Sequence, residues 1–366
     1  MEKEKVVQIA HDAHEISWKD FSALTESEKT VFLNDSKTGI PFHVLFSQQF
    51  NRDILFRLCH VAETARQINK DRIKGRKFLK SLLFGTHALN DFLQPSTRTF
   101  LSFITAQQKL GMDVVDIRDI NTSSEAKGES ITDAIRTFSS YVDLMVMRHP
   151  EENAAEQGAW VLNKSDRRIP IINGGSGKDQ HPTQALTDIY TLYKSFNSKI
   201  DGLTIAMVGD LARGRTVRSL SYLMKNYKDM KLIFVSPPQL KMKDDIKEFL
   251  SRNNIFFSET DNLKESIPKA DAIYMTRIQD EHDKNKNDST TNLNFRFEMK
   301  DLDLMKKDAV LMHPLPKRDE IDPAIDYCDD SRIVYWRQER NGMWIRMALI
   351  ATIFRKEQKI LDYYKI

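Results

Sequence analysis

A run of hydroxyl and guanidinium side chains, Ser96-Thr97-Arg98-Thr99, stands directly before an apolar stretch with helical spacing. Serine and threonine are favoured at helix N-caps, so the run predicts a loop that enters the first turn of a helix. The N–H groups of a first turn lack partners within the helix, and the helix dipole favours negative charge there. The run therefore suggests a phosphate site. Taken alone, such a run is more often a capped helix with a surface arginine.

Short apolar or β-branched runs alternate with helix-length segments along the rest of the chain. The candidate strands are Val114–Ile117, Leu144–Met147, Pro170–Ile172, Thr204–Val208, Lys231–Val235, Ile255–Phe257, Ala272–Met275 and Ala309–Met312. This βαβα order predicts the α/β class, with parallel sheets flanked by helices.

Five further polar signatures each follow one of these candidate strands. They are Arg148-His149-Pro150, His181-Pro182-Thr183-Gln184, the segment from Gly209 to Thr216, Thr276-Arg277-Ile278-Gln279 and His313-Pro314-Leu315-Pro316. Ligands bind to parallel sheets at the carboxyl ends of the strands, near helix N-termini. The signatures therefore predict a ligand site assembled from several strand ends.

The composition is that of a globular protein rather than of a nucleic-acid or membrane protein. The chain has 366 residues, enough for two domains, and its net charge is only +3. No apolar run approaches the roughly 18 residues of a membrane span, and the mixed charges of Met1 to Lys5 lead into no signal peptide. Two distant cysteines, Cys59 and Cys328, form no disulfide framework. We therefore expect a reducing compartment and a cytoplasmic location.

Taken together, the first run and the five signatures resemble the aspartate/ornithine carbamoyltransferase family, and its aspartate branch most closely. The resemblance covers about residues 42 to 360. It implies an N-terminal extension at 1–40, a carbamoyl phosphate-binding domain at 41–180 and an aspartate-binding domain at 181–341. The C-terminal helix, within 342–366, is expected to pack back on the first domain. The implied reaction moves the carbamoyl group of carbamoyl phosphate to the α-amino group of aspartate, an early step of pyrimidine synthesis.

The resemblance also assigns the residues that bind carbamoyl phosphate, namely Ser96, Thr97, Arg98, Thr99, Arg148, His181 and Gln184. Arg148 is expected to bridge the phosphate and the carbonyl group. His181 and Thr99 are expected to donate to the carbonyl oxygen, and Gln184 to bind the carbamoyl amine. Such catalysis needs positioned donors rather than a protein nucleophile or a cofactor.

The residues implied for the aspartate side are Arg215, Arg277, Gln279, Leu315 and Pro316. The planar arginine fork suits the two carboxylates of aspartate. Ser123 and Lys127 match family residues that reach into the neighbouring subunit's site, where Lys127 is expected to be catalytic. The resemblance therefore implies a homotrimer with shared active sites, and leaves open whether regulatory chains bind it.

Three other enzyme classes fit the residues less well. The segment from Gly209 to Thr216 resembles a P-loop, but Arg215 stands where a P-loop requires lysine. The nine histidines and two cysteines show no metal-ligand spacing, so we expect no metal. The ornithine branch typically has cysteine where Pro314 stands, and its substrate calls for a carboxylate where this chain offers Arg277.

A catalytically weakened homologue that binds ligands or partner subunits is the alternative from another class. The aspartate branch usually has glutamate where Gln94 stands and arginine where His282 stands, a pair that helps to close the two domains. Phe100 replaces a basic residue that is common in the family. Every matched substrate contact is nevertheless intact, so we expect an active enzyme.

Overall fold

Two separate β-sheets, both entirely parallel, form the frame of the chain. The computed structural model describes residues 16–119, 128–177, 180–277 and 295–365. Two units are distinguished, Met1–Thr183 with Gly342–Ile366, and Gln184–Asn341. Each unit contains one of the sheets, which confirms the predicted class of two parallel sheets with helices.

The first unit contains four strands in the order β2-β1-β3-β4. Their bounds are β1 (His87–Asp91), β2 (Asp113–Ile117), β3 (Leu144–Met147) and β4 (Ile171–Asn173). All four residues of β3 are buried, as expected for a strand that is covered on both faces.

The second unit contains five strands in the order β7-β6-β5-β8-β9. Their bounds are β5 (Thr204–Val208), β6 (Lys231–Val235), β7 (Phe256–Thr260), β8 (Ala272–Met275) and β9 (Val310–Met312). Apolar side chains of β5, β8 and β9 share one core cluster that includes Val208, Ile273 and Leu311. Each of the eight predicted strands is present, and most of their ends lie within a residue of the predicted bounds.

Thirteen α-helices lie among the described residues. They are α1 (Trp18–Ala23), α2 (Glu26–Leu33), α3 (Arg52–Ile68), α4 (Lys74–Ser81), α5 (Thr97–Leu110), α6 (Ile131–Ser139), α7 (Ala154–Asn163), α8 (Pro182–Ser195), α9 (Arg215–Leu223), α10 (Asp244–Arg252), α11 (Leu263–Ser266), α12 (Tyr335–Ile353) and α13 (Glu357–Asp362). Within the first unit, the Arg346 guanidinium of α12 lies 5.1 Å from the ring centre of Phe103 in α5. The C-terminal part of α12 therefore packs on α5, the helix that follows Ser96.

Strand β1 is one that the sequence pattern does not predict. Its residues, from His87 to Asp91, mix polar with apolar types, although four of the five are buried. The buried amide of Asn90 donates to Gln107 of α5 at 2.8 Å and accepts from it at 3.1 Å. Because each amide satisfies the other, a polar residue is tolerated inside the central strand.

The segment before the first sheet is folded into the first unit. Ser17 caps α1, and Thr25 with Glu28 forms a capping box on α2. Lys29 of α2 forms a buried ion pair with Glu156 of α7, with 2.6 Å between Nζ and Oε2. The predicted extension is therefore helical over residues 18–23 and 26–33. Its first 15 residues lie outside the described part of the chain.

Candidate active site

The winding of the first sheet reverses between two neighbouring strands. From β1 the chain moves to β2 on one side and then to β3 and β4 on the other. Ligands of doubly wound sheets bind at the carboxyl ends of the strands at such a reversal. Asp91 at the end of β1 pairs with Met147 at the end of β3. The loops that follow these ends contain Ser96–Thr99 and Arg148, so two predicted parts of the site start from one edge.

The Ser96 run forms the start of α5, as the sequence predicts. Ser96 is the N-cap, and its side chain makes no capping hydrogen bond to the helix. The first turn contains no acidic residue, and the side chains of Thr97 and Arg98 are exposed. A 14-residue helix therefore presents its positive end together with hydroxyl and guanidinium donors, a setting that suits a phosphate group.

Two further predicted residues, Arg148 and His181, converge on the turn after β4. The Arg148 Nη1 atom donates to the Gly174 carbonyl at 3.0 Å. A Cβ added to Gly175 would lie 2.6 Å from Arg148 Nη1 and 3.0 Å from His181 Cδ2. With its φ of +103°, Gly175 also has a backbone conformation that other residues rarely adopt. Glycine therefore suits this position, because a side chain here would crowd both Arg148 and His181 and strain the backbone.

Thr99 joins this group from the first turn of α5. Its hydroxyl oxygen lies 3.5 Å from His181 Nε2, and both side chains are buried. The turn that supports them is held by Asn173, whose side-chain oxygen accepts from the N–H groups of Gly175 and Ser176 at 2.8 Å each. The first unit therefore brings together three potential donors, from Thr99, Arg148 and His181, beside the helix N-terminus.

The second sheet also reverses its winding, between β5 and β8. Val208 at the end of β5 pairs with Met275 at the end of β8. Arg215 follows β5 as the first residue of α9, and Arg277 lies two residues after β8. Both arginines are half-buried. The second unit thus places two cations after its two central strand ends, where anions such as carboxylates are bound.

Neighbouring loops of this edge are fixed by local bonds. Gly209 has a φ of +117°, and a Cβ there would lie 2.3 Å from the Thr276 carbonyl oxygen. Asp210 accepts from Nε of Arg213 at 2.7 Å and from its backbone N–H at 3.0 Å. The Asp210–Arg213 ion pair leaves the loop that precedes Arg215 in a defined conformation.

The Leu315-Pro316 turn follows β9, the strand next to β8. Leu315 has a φ of +53°, and its N–H donates to His313 Nδ1 at 2.8 Å. The other ring nitrogen of His313 lies 2.7 Å from the Glu320 carboxylate, so the ring is the neutral tautomer with its proton on Nε2. The contact with His313 lowers the pKa of Glu320 despite burial, which favours its charged form.

Gln184 lies in the first turn of α8 and is bonded to a residue that the sequence reasoning missed. Its Nε2 donates to the Asp188 carboxylate at 2.9 Å, and Asp188 is fully buried. Burial raises the pKa of Asp188 to about 7, although hydrogen bonds from Gln338, Tyr274 and Gln184 oppose the rise. The available signal was the single acidic residue of α8, which stands four positions after Gln184.

The departures from the family pattern are placed as follows. The Gln94 N–H donates to the Arg148 carbonyl at 2.9 Å, and its buried side-chain oxygen has no hydrogen-bond partner among the described residues. Phe100 packs edge-on against Phe92, and the Arg118 guanidinium lies 4.2 Å from the centre of its ring. A cation therefore covers the position where the family commonly has a basic side chain.

Three predicted site residues, Ser123, Lys127 and Gln279, lie outside the described residues, as does His282. Within residues 16–119, 128–177, 180–277 and 295–365, no group of three or more histidine, cysteine or acidic residues could hold a metal ion. Across the same ranges, no helix has the length and hydropathy of a membrane span.

The fold defines an α/β protein of the doubly wound type, and the strand ends at each winding reversal carry donors and cations suited to small anions. Comparison with known families agrees with this description. Residues 43–194 match the carbamoyl-P binding domain of aspartate/ornithine carbamoyltransferase, and residues 201–353 match its Asp/Orn binding domain. The chain belongs to the aspartate/ornithine carbamoyltransferase family.

Individual relatives and solved structures agree with this family membership. The chain is 43% identical over 313 residues to chloroplastic aspartate carbamoyltransferase 1 of Pisum sativum, covering 85% of this chain and 78% of the relative. It is 42% identical to the aspartate carbamoyltransferase catalytic subunit of Clostridium novyi, covering 73% and 85%. The Trypanosoma cruzi aspartate transcarbamoylase with N-(phosphonacetyl)-L-aspartic acid superposes with a TM-score of 0.75 at 33% identity, covering 84% and 94%. The catalytic subunit from M. jannaschii also gives 0.75, at 36% identity, covering 86% and 99%.

The raised pKa of Asp188 predicts a specific pH dependence of stability. The folded chain holds the proton more tightly than an unfolded chain, in which the group has its ordinary pKa of 3.8. The stabilising contribution is therefore fully present below about pH 4 and is lost as the pH rises through about 7. We expect Asp188→Asn to flatten the fall in the free energy of unfolding across this interval, as measured by urea denaturation at several pH values. The matched control, Asp166→Asn at an exposed carboxylate, keeps the wild-type slope; the same slope in Asp188→Asn contradicts the prediction.

Proposed function

We propose that the chain transfers the carbamoyl group of carbamoyl phosphate to the α-amino group of L-aspartate, giving N-carbamoyl-L-aspartate and phosphate in pyrimidine biosynthesis. Membership of the family and the names of the relatives support this reaction. The observation that carries it is the convergence of Thr99, Arg148 and His181 beside the N-terminus of α5. Three donors beside a helix N-terminus suit a substrate that joins a phosphate to a carbonyl group.

The chemistry requires charge stabilisation more than it requires a nucleophile from the protein. The amine lone pair forms a bond to the carbamoyl carbon, the carbonyl oxygen gains negative charge, and the bond to the phosphate oxygen then breaks. The proton lost by the amine offsets the charge that develops on the departing phosphate. Donors held at the carbonyl oxygen before the reaction starts lower the barrier, because they need no reorganisation.

The first unit is proposed to bind carbamoyl phosphate. Ser96, Thr97, Arg98 and Thr99 hold the phosphate at the start of α5. Arg148 bridges the phosphate and the carbonyl group. His181 and Thr99 donate to the carbonyl oxygen, an arrangement that the 3.5 Å between their side chains supports.

The second unit is proposed to bind aspartate. Arg215 and Arg277 bind its two carboxylates, a role that their half-buried positions after β5 and β8 support. Gln279 belongs to the same proposed set. The backbone of Leu315 and Pro316, together with Gln184, receives the carbamoyl group and the amine. Such a set favours an amino acid with a second carboxylate over one with a distal cation.

Assembly and location are the less direct parts of the proposal. Ser123 and Lys127 are proposed to act in the site of a neighbouring subunit, which makes the protein a homotrimer with shared active sites. Regulatory chains are a further partner that such a trimer could bind. A cytoplasmic location stays a prediction from the sequence, and the Pisum sativum relative is a chloroplastic protein.

Steady-state formation of carbamoyl-aspartate from carbamoyl phosphate and aspartate tests the proposal directly. Ornithine in place of aspartate serves as the paired substrate. Turnover with aspartate but not with ornithine supports the proposal. Turnover with ornithine but not with aspartate assigns the chain to the ornithine branch. Absence of product from either amino acid, in a protein that still binds carbamoyl phosphate, supports a weakened homologue and overturns the proposed activity.

His181→Ala is expected to lower kcat by about 10²–10³-fold, the usual effect of losing one donor to a developing oxyanion. The KM for aspartate should change little, because that substrate is bound by the second unit. Steady-state kinetics with both substrates varied measures the two effects. An unchanged kcat would rule out the proposed role of His181.

Arg277→Ala is expected to raise the KM for aspartate by about 10–100-fold, since a charged hydrogen bond contributes about 1.5–3 kcal/mol. The Kd of carbamoyl phosphate, measured by calorimetry, should stay at the wild-type value. Arg252→Ala, which removes an exposed arginine of α10, is the matched control and should leave both constants unchanged. If Arg277→Ala weakened the binding of aspartate and of carbamoyl phosphate equally, Arg277 would not be the aspartate-binding residue proposed here.

Mixed trimers test the shared site. Arg98→Ala and Lys127→Ala are each expected to be inactive alone, because each removes one part of every site. After the two variants are dissociated together and reassembled, about a quarter of the sites should combine one intact Arg98 with one intact Lys127 from a neighbour. Recovery of activity in the mixture, measured against each variant treated in the same way, supports sharing. A mixture as inactive as its components contradicts it.

A further inference from the structure

The buried carboxylate of Asp188 has no part in the reaction as described so far. It accepts hydrogen bonds from Gln184 Nε2 at 2.9 Å, Gln338 Nε2 at 2.7 Å and the Tyr274 hydroxyl at 2.9 Å. All three partners lie with it in the second unit. An ionised carboxylate only accepts hydrogen bonds, so both amides must turn their NH₂ groups toward it.

The first consequence concerns Gln184. With its NH₂ group bonded to Asp188, the side chain keeps its oxygen as the end that can accept a further hydrogen bond. The carbamoyl amine is a donor, whereas phosphate and carboxylate groups are acceptors. The bond to Asp188 therefore gives Gln184 the orientation that suits an amine and disfavours an anion.

The second consequence concerns the Leu315 turn. With its NH₂ group on Asp188, Gln338 offers its oxygen to the His313 backbone N–H at 2.9 Å. The His313 ring in turn accepts from the Leu315 N–H at 2.8 Å. One continuous chain of hydrogen bonds, buried except at its end beside Leu315, thus runs from Gln184 to the Leu315 backbone. The carboxylate sets the direction of the two amides in it.

We propose that Asp188 is a positioning residue for carbamoyl transfer, which orients Gln184 and, through Gln338 and His313, fixes the Leu315 turn as the receptor for the carbamoyl amine. The inference rests on the function proposed above for Gln184 and Leu315. It assigns no contact between Asp188 and the substrate, and its effect is exerted through the two groups that it holds.

The charge state of Asp188 supports a role other than stability. Burial raises its pKa to about 7, and the charge of Glu339 contributes to the rise. Burial and the Asp188 charge also raise the pKa of Tyr274, so the phenol stays a neutral donor. A carboxylate that is ionised at such a site is costly to bury, and its bonds to two amides provide orientation in return.

The test compares three ligands that share a phosphate group. Acetyl phosphate has a methyl group in place of the carbamoyl amine, and inorganic phosphate lacks the acyl group altogether. In Asp188→Asn, the preference for carbamoyl phosphate over acetyl phosphate, taken as a ratio of Kd values from calorimetry, should fall by about tenfold. This is the fall expected when the charged oxygen that accepts from the Gln184 amide becomes a neutral one. The Kd of inorganic phosphate should change less than about twofold, since the first unit binds it. The kcat should fall by about 10²-fold, the usual effect of a small misplacement.

The pH dependence separates positioning from a purely structural role. Tyr274 and Glu339 are the titratable groups that act on Asp188. As the pH falls through about 7, wild-type preference for carbamoyl phosphate should decline. Both amides donate to Oδ1 of Asp188, and protonation removes the negative charge that strengthens these two bonds. The ratio cancels the titration of the phosphate that the two ligands share. Asp188→Asn should show no such decline.

Two further variants keep the proposal falsifiable. Glu156→Gln alters another buried carboxylate, the partner of Lys29 in the first unit, and should lower stability without changing the ligand ratio. Gln338→Met removes the branch to His313 while leaving the Gln184 bond, so kcat should fall while most of the ligand preference remains. If Asp188→Asn does not fold, an unchanged kcat in Gln338→Met overturns the branch, and a ratio that is flat across pH in the wild type overturns the orientation of Gln184.

The outcomes also distinguish this inference from the proposed function. In one outcome the wild-type chain makes no carbamoyl-aspartate, and Asp188→Asn binds carbamoyl phosphate with less preference than the wild type does. This outcome refutes the activity and supports the positioning role in ligand binding. An active wild type whose preference and kcat are the same in Asp188→Asn refutes the positioning role and leaves the activity intact.

Discussion

Parallel strand pairing with a reversal of winding is the constraint on which the candidate site depends. In each unit the first strand lies inside the sheet, the strand or strands that follow it lie on one side, and the last two lie on the other. The register of Asp91 with Met147, and of Val208 with Met275, aligns two carboxyl ends that are more than 50 residues apart in sequence. Backbone hydrogen bonds between the strands therefore decide which loops meet. The same arrangement serves a phosphate run in one unit and a pair of arginines in the other.

Close backbone approach then decides what those loops can hold. Gly175 is the clearest case, because an added Cβ would lie 2.6 Å from Arg148 Nη1 and 3.0 Å from His181 Cδ2. Gly209 plays a comparable part after β5, where a Cβ would overlap the Thr276 carbonyl. Both glycines also have positive φ, so strain would add to the overlap if they were replaced. The conformations of these loops are well defined because their backbones pack as closely as core side chains do.

Much of this architecture could be predicted from the sequence, for identifiable reasons. Strands such as Leu144–Met147 and Thr204–Val208 are continuous apolar runs, and their bounds were predicted to the residue because buried parallel strands have that pattern. Strand β1 escaped prediction because the Asn90–Gln107 amide pair that permits it joins residues 17 positions apart. The Ser96 run was predicted as a helix start because capping is a local property.

Asp188 illustrates why the rest of the site was not predictable. Its partners Tyr274 and Gln338 are 86 and 150 residues away, so no local pattern links the three side chains. Leaving such groups buried without partners would cost about 1–3 kcal/mol each, and here each is bonded. A well-packed apolar cluster would be as stable, but it would leave the Gln184 amide free to rotate and the Leu315 turn without its bond to His313. What this network provides and an apolar cluster does not is a fixed direction for its hydrogen bonds, and direction is what discrimination between an amine and an anion requires.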